Sequence, residues 1–192
     1  MDRVKIREIL SEKLHEKRME HTLGVEYTAT ALAMRYGVNL EQAALAGLLH
    51  DCAKYLSREK KIQKCEELKI PISDSERKNP ELLHAKLGAY YAKNKYEVED
   101  QAVLDAIASH TTGKPEMTTL EKIIYIADYI EPNRNKAPKL TLLRMMAFQD
   151  LDECLLEILE NTLIFLRSTD SEIDELTVKT YEYYKKIRKS ER

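Results

Sequence analysis

Six side chains in this sequence could do chemistry together: His21, His50, Asp51, His84, His110 and Asp128. The sharpest pair lies in Ala46-Gly47-Leu48-Leu49-His50-Asp51-Cys52-Ala53-Lys54, a stretch that is apolar in its first half and then sets an imidazole beside a carboxylate. Burying a charge next to a histidine is costly unless something pairs with both, and a divalent cation is the usual partner. His and Asp without Cys suit borderline-hard ions such as iron, manganese, nickel or zinc, not a structural thiolate site. Successive spacings are 29 residues from His21 to His50, 33 from Asp51 to His84, 26 on to His110 and 18 on to Asp128. Ligands so far apart would come from separate packed helices and meet inside a bundle.

Each residue also has an ordinary reading. A lone histidine in a helical protein is more often core or surface than ligand. Asp128, between Ala127 and Tyr129, could cap a turn or pair with an arginine, and His84 and His110 could be caps. His15 lies among Lys13, Glu16 and Lys17 and reads as a surface residue. Spacing alone does not assemble the site.

The elements that must carry these residues read as a succession of helices. Val4, Ile6, Ile9, Leu10 and Leu14 recur at helical spacing from about Asp2. A second helix runs from Glu16 to Tyr36, carries His21 early and stops at Gly37. Asn39 caps a third, Leu40 to Asp51, apolar nearly all round and therefore central. His50 and Asp51, about 100° apart on a regular helix, can both reach one ion only near its end, or the Asp can bridge to a second ion. Ser57 caps a charged helix through Leu68, and residues Pro71 to Pro80 read as a loop. His84 falls near the start of a helix over Glu81 to Lys95. His110 ends one over Glu97 to Ser109, where Thr111-Thr112-Gly113-Lys114-Pro115 breaks the pattern. Thr118 or Thr119 with Glu121 opens Leu120 to Ile130, which holds Asp128 near its end. Pro132 to Pro138 is a second loop, and helices over Leu140 to Phe148, Asp150 to Leu166 and Asp174 to Arg188 follow.

Composition agrees with an all-α, single-domain helical bundle spanning residues 1–192. Five Gly and five Pro are few in 192 residues, against roughly thirteen and ten at average usage. A net charge of −2 argues against a general nucleic-acid binder. Cys52, Cys65 and Cys154 are odd in number and widely spaced, so neither a disulfide framework nor a thiolate zinc site is expected. The opening MDRVKIREIL has no signal-peptide apolar run and no stretch reaches a membrane span, which makes a cytoplasmic location the expectation.

The order His … His-Asp … Asp resembles the HD superfamily of metal-dependent phosphohydrolases, with His84 and His110 marking its two-metal branch. More closely, the chain resembles the YqeK family, symmetrical diadenosine-tetraphosphate hydrolases of bacteria. Five ordered segments carry the likeness: Lys17–Val25, Gly47–Lys54, His84–Ala89, Ala106–Gly113 and Tyr125–Arg134. Together they span about residues 17 to 134. Cys52 stands where the family more often has an aliphatic residue, a small change because a buried Cys behaves as a small hydrophobe.

The resemblance implies two divalent ions, iron by expectation, with manganese, nickel, cobalt or zinc as alternatives. His21, His50, Asp51 and Asp128 would hold one ion and His84 and His110 the other, with Asp51 bridging. A metal-bridged hydroxide would then attack the phosphoanhydride, and no Ser or Cys nucleophile is needed. Asp51 and Lys54 are the expected catalytic residues. Lys54, one turn beyond His50, Arg134 in the loop after Asp128, and Arg18, one turn before His21, are expected to meet phosphate. Thr111, Thr112 and Gly113 could meet phosphate or ribose. The expected partner is a small nucleotide, with no nucleic acid or membrane. The apolar C-terminal helices could pack on the core or, in a homodimer, on a second subunit. Two other readings stay open: a phosphatase or phosphodiesterase on another nucleotide, and a non-catalytic nucleotide-binding module.

Overall fold

In a computed structural model, which describes residues 1–169 and 173–190, eleven α-helices and one 3₁₀ turn make up the regular secondary structure and no strand occurs among those residues. Local signals set most boundaries. Asp2 caps α1 (Arg3–Lys13), and His15 caps α2 (Glu16–Tyr36), its ring nitrogen accepting from the Arg18 N–H. Gly37, at φ +67°, closes α2 in the left-handed conformation that glycine adopts without a Cβ penalty. Asn39 accepts the N–H groups of Glu41 and Gln42 and starts α3 (Leu40–Leu49). Ser57 caps α4 (Arg58–Glu67).

Most boundaries fall within two residues of the sequence expectation, and the informative differences lie around α3, α5 and α7. The segment read as a loop between Pro71 and Pro80 contains a short helix, α5 (Asp74–Lys78), because Ser73 and Glu76 form a reciprocal capping box. A 3₁₀ turn (Pro80–Leu82) then leads into α6 (Leu83–Lys95). The next helix, α7 (Gln101–Ser109), starts four residues later than Glu97. Asp100 accepts the Ala102 N–H as its cap, and Glu97 sits at φ +60°. Helix α3 stops at Leu49, so His50 is its C-cap and Asp51 lies in the turn beyond.

Thr118 and Glu121 form a second capping box at the head of α8 (Thr119–Ile130). Short α9 (Leu140–Met146) follows, then α10 (Leu151–Ser168), capped by Asp150, and α11 (Glu175–Ser190).

Helix α3 is the hub, packed against α2, α7 and α8. Leu48, Leu49, Ile107, Ile123, Ile124 and Ile126 are fully buried there, each contributing about 1.5–3 kcal/mol by burial. The α2–α3 contact is very close at Gly47: a Cβ there would lie 2.9 Å from the Glu26 Cα, so no larger residue fits without moving a backbone. Glu26, itself buried, accepts from Arg3 (2.8 Å) and Arg7 (2.6 and 3.1 Å) and thereby ties α1 to α2. The C-terminal helices pack on the core: Leu155, Ile158 and Leu159 of α10 are buried against α8, and the Tyr184 hydroxyl of α11 accepts the Met117 N–H at 2.8 Å. None of the described helices is long and apolar enough to cross a membrane.

Candidate metal centre

Five helices deliver the six residues to one interior point. His21 sits in the first third of α2, His50 ends α3 with Asp51 next to it, and His84 is the second residue of α6. His110 caps the end of α7, and Asp128 lies in the last turn of α8. The rings form a row, edge against face: His21 to His50 at 5.3 Å between centroids, His50 to His110 at 5.1 Å, His110 to His84 at 4.9 Å. All four imidazoles and Asp51 are buried, and Asp128, 23% exposed, stands at the rim.

The histidines point the same way. Every Nδ1 faces an acceptor: Gly47 O for His50 (2.7 Å), Ile107 O for His110 (2.7 Å), Glu81 O for His84, and the Glu131 carboxylate for His21 (3.1 Å). Those bonds assign the ring hydrogen to Nδ1 and leave each Nε2 with a lone pair turned inward. The inward atoms crowd together. His21 and His50 Nε2 are 3.3 Å apart, and His84 and His110 Nε2 are 3.0 Å apart. Asp128 Oδ1 is 3.0 Å from His21 Nε2 and 3.9 Å from His50 Nε2. Lone pairs and carboxylate oxygens gathered at such distances repel unless a cation lies among them. Three overlapping groups of these residues place their ligand atoms within 4.8 Å of one another: His21–His50–Asp51, His50–His110–Asp128 and Asp51–His84–His110. The donor set is nitrogen and oxygen, so it fits a borderline-hard divalent metal.

Asp51 has two faces. Its Oδ1 lies 3.0 Å from His84 Nε2 and 3.7 Å from His110 Nε2, whereas Oδ2 lies 3.6 Å from His50 Nε2 and 3.9 Å from His21 Nε2. Burial alone would raise this carboxyl. The imidazoles of His50, His110 and His84 reverse that and hold it well below the usual carboxylate range. Asp128 shifts the same way, with burial opposed by the adjacent His21, His50 and Arg134. Burial keeps His84 neutral down to about 4, while His21, with Asp128 and Glu131 against it, is raised despite its burial.

Three expected phosphate contacts reach the rim. Arg18 Nη1 donates to Asp51 Oδ2 at 2.8 Å, and Arg134 donates through Nη2 to Asp128 Oδ1 (2.9 Å) and through Nε to the Asp128 carbonyl (3.1 Å). Lys54 Nζ is 3.3 Å from His84 Nδ1 and 3.6 Å from Glu81, and burial lowers its pKa. It lies in the turn following α3, not on the helix itself. Thr111, Thr112 and Gly113 are elsewhere. Thr111 and Thr112 line a cleft of about 770 Å³ between α5, α6, α7 and α11, the Thr112 hydroxyl donates to Gly113 O, and Gly113 faces Thr180.

Sequence reasoning missed Glu131. It is buried, holds His21 through Oε1 and accepts the Asn133 N–H through Oε2 at 2.7 Å. Its position three residues after Asp128, at the C-cap of α8, was the available signal. Also missed was the pairing of Lys61, fully buried, with both oxygens of Glu81 at 3.0 Å, which holds the turn leading into His84.

Comparison with known proteins agrees with this geometry. Residues 18–133 match the HD domain family, a span that takes in all six clustered residues. The chain is 39% identical to the symmetrical bis(5'-nucleosyl)-tetraphosphatase of Bacillus subtilis, over 95% of this chain and 97% of that one. It is 41% identical to the protein of the same description from Halalkalibacterium halodurans, over 94% and 96%. Among solved structures, a predicted HD superfamily hydrolase involved in NAD metabolism from Clostridium acetobutylicum superposes with a TM-score of 0.94. That match has 41% identity and covers 97% of this chain and 98% of the other.

Proposed function

The chain belongs to the HD-domain hydrolases, among the symmetrical bis(5'-nucleosyl)-tetraphosphatases, and on that premise we propose that it splits diadenosine tetraphosphate into two molecules of ADP. The two-faced arrangement of Asp51 carries the reading. With Oδ2 toward His21 and His50 and Oδ1 toward His84 and His110, one carboxylate serves two cation positions. His21, His50 and Asp128 complete one position, His84 and His110 the other, and iron is the proposed metal, with manganese, nickel, cobalt and zinc as alternatives. Such ions, when bound, acidify water to a nucleophile at neutral pH and neutralise charge on phosphoryl oxygens.

The chain's own residues do the rest. Arg18 and Arg134, held against the ligand carboxylates, offer N–H groups at the rim where a polyphosphate would arrive. Lys54 adds a partly desolvated ammonium beside His84, suited to charge that builds on the departing phosphate oxygen. The cleft lined by Thr111 and Thr112 is also lined by Leu82, Ala85 and Ala108, which lie within two residues of His84 or His110 in the chain. We assign that loop to a ribose at one end of the substrate rather than to the central phosphates. A substrate with a nucleoside at each end and a cut at its centre suits a buried cluster flanked by cations.

Metal content and a product assay over a nucleotide panel test the proposal together. Two ions per chain and ADP as sole product from the tetraphosphate are expected. Fast turnover of a mononucleotide or cyclic nucleotide, with the tetraphosphate untouched, would overturn the substrate.

A further inference from the structure

What stands behind the imidazoles sets His21 apart from the other three. His50, His84 and His110 each turn Nδ1 to the carbonyl three residues earlier: Gly47, Glu81 and Ile107. His21 cannot do this, because in the body of α2 the carbonyls of the preceding turn belong to the helix. Its Nδ1 instead meets Oε1 of Glu131, which is 1% exposed. That carboxylate is itself held. The Asn133 N–H donates to Oε2, and Arg144 of α9 clamps the surrounding turn by donating to the carbonyls of Ile130 (2.8 Å) and Glu131 (2.9 Å). At Gly24 a Cβ would overlap the Glu131 carboxylate, so the bare backbone leaves room for it. A carboxylate behind a ligating imidazole raises its basicity more than a neutral carbonyl does.

Charge separates the halves in the same sense. The His21 half faces Asp128, Asp51 Oδ2 and, behind the ring, Glu131, which outweigh Arg18 and Arg134. The His84 half has one oxygen of Asp51, the Lys54 ammonium 3.3 Å from the ring, and Glu81, whose charge is shared between Lys54 (3.6 Å) and Lys61 (3.0 Å). We propose that Glu131 is a positioning residue that makes the His21–His50–Asp128 half the tight position. The centre then fills in order, with the His84–His110 half loaded last. This rests on the two-ion reading above.

Titration of the metal-free chain with cobalt(II), followed by calorimetry and visible absorption, reads each position without hydrolysis. Wild type should fill in two separate steps. Glu131→Gln should weaken the first about 10- to 100-fold and leave the second in place. His84→Asn should delete the second step and keep the first. Circular dichroism of the metal-free variants reports whether each is folded; should Glu131→Gln unfold, wild type and His84→Asn still decide the order. Loss of the tight step in His84→Asn, or equal weakening of both steps in a folded Glu131→Gln, would overturn the proposal. So would two ions filling wild type with one affinity, which leaves the two-ion reading standing. Uptake of one ion or none would overturn that reading and this inference with it.

Discussion

His21 and His50 meet at 3.3 Å, yet the chain holds them by opposite means. His50 sits where α3 ends, and its Nδ1 donates to Gly47 of the same helix. His21 sits inside a helix and depends on Glu131, 110 residues away. The contrast extends to the rest of the cluster. His84 and His110 are aimed by bonds within their own turns, while the His21–Asp128 side is assembled from α2, α8 and the turn clamped from α9. A ligand at a helix terminus can be oriented locally, because free backbone acceptors are there. A ligand in a helix interior needs a partner from another element.

The largest effect should come from the residue common to both halves. Asp51→Ala is expected to abolish metal binding and bring ADP release to background, and a variant that keeps two ions would refute the shared carboxylate. Metal removal should come next. Chelation should stop hydrolysis and lower the melting temperature, since an ion held at a hundredfold excess over its Kd stabilises the fold by about 2.7 kcal/mol. Hydrogen exchange on the metal-free protein would sharpen the contrast. Amides of the 131–134 turn should exchange faster, and those near Ile107 and His110 should change little.

A smaller break targets the long-range half alone. Gly24→Ala puts a methyl against the Glu131 carboxylate. It should cost about 1–3 kcal/mol of stability, readable by denaturant unfolding, and weaken one metal step only. Removing a rim cation should leave both ions bound. Arg134→Ala and Arg18→Ala should each raise KM about tenfold at unchanged metal content, measured in steady state. Last comes a change remote from either half. Glu26→Gln loosens Arg3 and Arg7 and should reduce stability by about 1–3 kcal/mol, while kcat and KM stay near wild type.

How much of this was legible in the sequence follows the same division. Caps at Asn39, Ser57 and Thr118 and the stop at Gly37 are readable because each acts within a few residues. The Ser73–Glu76 box is equally local, but two flanking prolines and a polar run hid it behind a loop signal. The end of α3 at Leu49 was less legible. Helical propensity continues through Asp51, and only the packing of His50 and Asp51 toward α2, α6 and α7 turns the chain there. Thr111 and Thr112 follow His110 directly, yet they line the cleft beside α11 because a turn reverses the chain after α7.

Residue type and order by themselves determined the helical class and most helix caps, and the ordered motifs carried the resemblance that gathered the candidate ligands. The caps depend on groups only a few positions apart. Tertiary structure decided that Asp51 presents one oxygen to each pair of histidines and that Arg18 and Arg134 stand over the ligand carboxylates. It also decided that Glu131 reaches back across α2 to His21. Apart from Arg134 with Asp128, six residues apart, and His50 beside Asp51, those contacts join residues 30 to 110 apart, and only the packing of α2 against α3 and α8, close enough to require Gly47 and Gly24, brings them within bonding distance.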